Sequence, residues 1–141
     1  MTHTAFAAAG SPAPPLSVDY QPGVCNIGPA EIARRRRAGH TGLVAAIALF
    51  AALVAIGAPP LARLLVAIPA IIFASGYLQA HLKFCAGFGA AGVFNFDEVG
   101  AVDKVADPAS KAIDRAKASK ISLASFAIGA IVGVVAVLLP V

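Results

Sequence analysis

The chain has 141 residues, 59% of them hydrophobic and 13% charged, with a formal net charge of +4. Its mean hydropathy of +0.83 lies far from the soluble average, which is roughly half apolar and a quarter charged. That balance excludes an ordinary soluble enzyme and predicts an all-α integral membrane protein, because the apolar runs approach the ~20 helical residues that cross a bilayer core.

Residues 1–24 open the chain with four of its ten prolines between Pro12 and Pro22. Such a segment buries too little apolar surface to offset its ordering entropy and reads as a disordered or extended arm. No positive charge precedes its mildly apolar patch, so it reads as retained on the mature chain rather than as a cleaved signal.

Residues 25–40 form a basic interfacial segment. Pro29 suits a first helical position and Glu31 a first helical turn, where the helix dipole favours a carboxylate. A short helix from Pro29 would lay Ile32 on the membrane surface, with Arg34, Arg35, Arg36 and Arg37 around it. The plainest role for these arginines is to set topology among anionic headgroups. Docking of anionic lipid or of an acidic partner is the sharper alternative. Without interleaved aromatic residues or a recognisable module, the run does not point to nucleic acid.

Three transmembrane helices follow, at about 41–58, 62–84 and 120–139, within a domain covering 41–141. The first is uncharged from Thr41 to Ala58 and stops at Pro59-Pro60, which cannot continue a helix. The second contains Pro69, which predicts a kink. The third ends at Pro140 and carries Ser125, Gly129 and Gly133 at four-residue intervals, a ladder that lets helices approach closely.

The loop 85–120 lies between the second and third spans. Its start alternates Gly87, Gly89 and Gly92 with phenylalanines and reads as an interfacial loop or loosened helix end. Its end, "ADPASKAIDRAKASK", places Asp107 as N-cap and Pro108 at the first position of an amphipathic helix over about 108–120. That helix has no breaker before the third span. Asp107 with Lys111, and Asp114 with Lys117, fall at ion-pair spacings.

Ten of the eleven Lys and Arg lie before the first span or between the second and third; only Arg63 falls in the opposite turn. The positive-inside rule then puts the N-terminus and the long loop in the cytoplasm and the C-terminus outside, as a multi-pass protein of a bacterial-type inner (plasma) membrane.

Cys25 and Cys85 both fall on the side expected to be reducing, which disfavours a structural disulfide. His81 and Cys85 stand four apart, the spacing at which two helical side chains share a metal, and Cys25 and His40 would complete a Cys2His2 set. The simpler reading makes "HLKFC" a helix end, with His81 and Lys83 at the boundary and Cys85 a small buried side chain. No intramembrane charge, phosphate loop or hydrolase motif is present, so neither an enzyme nor a stand-alone pump is expected.

The plan of few apolar helices, few charges and an extended arm is similar to that of small accessory subunits of respiratory or photosynthetic complexes. The expected function is therefore a non-catalytic accessory, structural or assembly subunit, with other integral membrane subunits and anionic lipids as partners and no cofactor. The alternative is a metal- or cofactor-binding membrane protein using its cytoplasmic-face Cys and His.

Overall fold

The structure, a computed structural model, describes residues 20–141. The expected arm falls largely in residues 1–19, outside the described residues. From Tyr20 onward the chain is folded: Gln21 and Cys25 close a small turn through reciprocal main-chain hydrogen bonds of 3.0 Å each. Gly23 turns it at φ 68°.

The chain is largely helical. Helix α1 (Pro29–Ala55) opens with proline at its first position and Glu31 in its first turn. It is a single helix of 27 residues, so the separate short interfacial helix merges into the first span. After Gly57 and Pro59, a 3-10 helix over Pro60–Val66 leads into α2 (Ala67–His81). The expected kink at Pro69 takes another form. Pro69 occupies the first turn of α2, where a missing N–H removes no intrahelical bond, and the irregularity is the 3-10 turn before it.

The second span ends at His81, three residues before the expected 84. Lys83 has φ 52°, a left-handed turn that stops the helix. A short helix, α3 (Ala86–Ala91), then starts with Cys85 as its cap and ends on Gly92 at φ 71°. Val93–Phe94 (β1) pairs antiparallel with Asp103–Lys104 (β2), a small exception to the all-α expectation inside the glycine-rich loop. Helix α4 (Pro108–Leu138) is one unbroken helix of 31 residues that joins the amphipathic segment to the third span. Asp107 caps it, accepting from Ser110 N–H at 2.8 Å and from the Ser110 hydroxyl at 2.7 Å. Those bonds hold the Asp107 carboxyl below the usual carboxylate range. Asp107 and Asp114 thus bind main-chain and hydroxyl donors in place of the lysines at helical spacing; among the described residues the ion pairs join Glu31 to Arg34 and Arg35.

Three helices, Pro29–Ala55, Pro60–His81 and Pro108–Leu138, are long and apolar enough to cross a membrane. Helix α2 is central, and α1 and α4 pack chiefly on it. Small residues make those approaches close. A Cβ on Gly76 would meet Gly39 Cα at 2.6 Å and Arg35 O at 2.7 Å, and one on Gly42 would meet Pro69 O at 2.8 Å. On α4, Gly129 lies against Ile71 and Ala67, and Gly133 against Ala67, while buried Ser125 returns its hydroxyl to Ile121 O at 2.9 Å. At the far end, buried Arg63 donates to Leu139 O at 2.9 Å and to the Val141 oxygen, closing carbonyls that the end of α4 leaves open.

Candidate functional site

Apart from Arg63 and Ser125, the buried polar side chains among the described residues gather where the arginine-bearing end of α1 meets the end of α2, α3 and the start of α4. Asn26, Glu31 and Asp114 are fully buried, and Asn95 and Gln79 nearly so. In an apolar chain such groups persist only when hydrogen-bonded, and each of them has partners.

Asn26 is the centre. Its amide Oδ1 accepts from Cys85 N–H at 2.7 Å, and its Nδ2 donates to Cys85 O at 3.1 Å. A side chain thereby pairs with a main chain as a neighbouring strand would. Its own backbone N–H donates to Lys83 O at 3.2 Å, and its carbonyl accepts from Asn95 N–H at 2.9 Å. Asn95 returns the contact through its carbonyl to Gly28 N–H at 2.7 Å. Its side chain folds its own loop, accepting from Asp97 N–H and donating to Glu98 O at 2.9 Å each. Gln79 fixes the α2–α3 corner: its Oε1 accepts from Ala86 N–H at 3.0 Å and its Nε2 donates to the Ser75 hydroxyl at 2.6 Å.

Cys85 sits within this frame at 1% exposure. Its Sγ accepts from an Arg35 guanidinium N–H at 2.9 Å and from Phe88 N–H at 3.5 Å. Arg35 also stands 3.8 Å from Glu31 Oε2 and 5.9 Å from the Phe88 ring centroid, and its Nε is buried with no hydrogen-bond partner among the described residues. Glu31, at 0% side-chain exposure, is paired at 3.2 Å with Arg34, the compensation a buried carboxylate requires. The four arginines therefore divide. Arg35 points into the core, Arg34 straddles the rim, and Arg36 and Arg37 are exposed.

Asp114, on α4, ties the N-terminal turn to this core. It accepts from the Tyr20 hydroxyl and from Gly23 N–H, both at 2.7 Å. Burial, then the hydrogen bond to Asp114, then its charge push the Tyr20 phenol well above its ordinary range. Tyr20 also stacks on Phe94 at 4.7 Å.

The four expected ligands are arranged otherwise than helical spacing implies. Helix α2 stops at His81, which is exposed, so His81 and Cys85 do not share one helical face. His40 is exposed on α1, its Nδ1 at 2.8 Å from Arg36 O and its ring 5.2 Å from Tyr77. Cys25 adjoins Asn26, so the clamp carries its segment to Cys85. Among the described residues no group of three or more His, Cys, Asp and Glu is placed to hold a metal ion.

Asn26, Asn95, Gln79 and Asp114 were not singled out as site residues from sequence. One signal was available. Glu31 beside an arginine run, in a chain with seven acidic residues, marks a buried ion pair. No protein family, curated protein or solved structure matches the chain. Chemically, the site is a hydrogen-bonded corner, with Arg35 Nε its one unpartnered buried polar atom among the described residues, that locks the α2–α3 turn and presents one buried thiol to a guanidinium.

Proposed function

We propose that the protein is a small non-catalytic accessory, structural or assembly subunit of a larger membrane complex of respiratory or photosynthetic type. In this reading it resides in a bacterial-type inner membrane, with the polar corner and arginine run in the cytoplasm and Val141 outside. One observation carries the proposal. The most apolar 18-residue stretch of α1 is only 11% buried, against 33% and 28% for the other two candidate spans.

Helix α1 meets its neighbour through Gly39, Gly42 and Ala46 and leaves Val44 and Ile47 uncovered at 66% and 62% exposure. Between α1, α2 and α4 lies an apolar groove of about 280 Å³, with Leu43, Ile47, Phe50, Phe73, Val135 and Leu139 among its walls. A helix of a partner subunit fits such a surface. The locked polar corner suits a scaffold, since it spends its polar groups on one another. Extraction in mild detergent at native expression should yield a defined assembly with other integral membrane polypeptides. Recovery as a lone 14.1 kDa chain contradicts the proposal.

A second reading, a metal- or cofactor-binding protein, is favoured by the Asn26 clamp, which draws the Cys25 segment to Cys85. It requires purified protein to carry stoichiometric metal that Cys85→Ala releases. Metal-free protein isolated without chelator counts against it.

A further inference from the structure

We propose that the notch between α3 and α4 is a binding site for one anionic glycerophospholipid. The notch has a volume of about 570 Å³ and is walled by Ala86 and Ala90 of α3 and by Arg115, Ser119, Ser122 and Phe126 of α4. The four α4 residues are spaced four, three and four apart, which places them on one face. They descend from a guanidinium through two hydroxyls, of which Ser119's donates to Arg115 O at 3.0 Å and Ser122's faces the lipid esters, to an aromatic ring over about 16 Å, at 1.5 Å per residue. That sequence of chemistries matches a phosphate, its glycerol esters and the upper part of an acyl chain.

Charge selects the lipid class. Arg115 is exposed, and the ion pairs among the described residues involve only Glu31, Arg34 and Arg35. Lys117 and Lys120 follow Arg115 along α4, and Lys120 is the chain's last charged side chain before the apolar stretch begins at Ile121. The notch therefore straddles the charged-to-apolar boundary, where a lipid phosphate resides.

The apolar end is left uncovered by the described residues, with Leu123 at 72% and Phe126 at 59% exposure. The α3 wall is held from beneath by Gln79 on Ala86 N–H and by Asn26 on Cys85, so the notch is pre-formed. The site differs from the arginine run of α1 and rests on the membrane-spanning reading of the helices, not on the subunit reading.

Full-length protein is reconstituted into vesicles, checked for insertion, and assayed by native mass spectrometry with phosphatidylglycerol or phosphatidylcholine. One phosphatidylglycerol per chain should be retained in preference to phosphatidylcholine. Arg115→Gln should weaken phosphatidylglycerol retention roughly fivefold, as expected for one cation near a lipid phosphate, and weaken phosphatidylcholine, whose phosphate is offset by its own ammonium, by less. Ala90→Leu, which narrows the notch, should weaken both lipids, and Arg36→Gln should weaken neither. Equal retention by wild type and Arg115→Gln overturns the site, as does a preference that follows Arg36 or a two-chain species indifferent to added lipid. Failure to insert overturns the membrane reading as well; insertion without lipid preference overturns the site alone.

Discussion

Replacing Asn26 with alanine leaves Cys85 N–H without its acceptor where water does not reach, while Cys85 O keeps the bond from Gly89 N–H at 2.9 Å. A buried group left without its partner costs about 1–3 kcal/mol, so Asn26→Ala should lose roughly 1–3 kcal/mol in detergent thermal unfolding. A loss within the range of an ordinary surface substitution, about 0.5 kcal/mol, would show that the clamp does not hold the corner. Tyr20 provides a pH test. Its phenol is raised in the folded state, so its contribution is fully present below the free phenol's range, near pH 10, and is lost as pH rises beyond it. In a Tyr77→Phe background, which leaves Tyr20 as the only phenol, phenolate absorbance should appear only above that range. Asp114→Asn should bring it down by removing the neighbouring charge. Neither residue was legible as part of a site, because the partners lie 59 residues apart for Asn26 and 94 for Tyr20 and pairs so distant leave no local spacing. The arginine run was legible as charge, yet its pattern could not show that Arg35 turns inward, a choice made by Glu31 and Cys85.

At the scale of elements, the contact of α1 with α2 depends on backbone approaching backbone. Gly76→Leu forces a side chain into Gly39 and the Arg35 carbonyl, atoms that cannot swing away, and should cost about 1–3 kcal/mol or more as an overpacked contact. Gly87→Ala is the control. Its new methyl would meet only Cys85 Sγ, at 3.8 Å, so stability should be unchanged or raised by up to about 1 kcal/mol in thermal unfolding. The start of α4 was legible because Asp107-Pro108 is a capping signal with a mechanism, and its run into the third span followed from the lack of a breaker. The end of α2 was not, since nothing between Gln79 and Phe84 forbids helix; the left-handed turn at Lys83 is closed by Phe84 N–H on Gln79 O at 3.0 Å and by the tertiary bond from Asn26 N–H to Lys83 O at 3.2 Å. Pro69 misled for a related reason. Its effect depends on where the helix begins, and the 3-10 start at Pro60 puts it in the first turn.

For the whole molecule, the three apolar runs and the ten-to-one placement of basic residues were readable from composition and order, because crossing hydrocarbon demands length and few charges. What those runs pack against was not readable, since lipid-facing and partner-facing apolar residues have the same chemistry. The proposed topology predicts that a periplasmically active phosphatase fused after Val141 is active, and that the same reporter inserted near Gly100 is silent. The reverse pattern would invert the topology.

The subunit reading turns on what covers α1. A photo-crosslinking residue at Ile47, in cells expressing the protein at native level, tests it most directly. The account predicts one discrete protein adduct of a defined partner, reproduced from Val44 on the same uncovered surface. Adducts with lipid alone from both positions would contradict it.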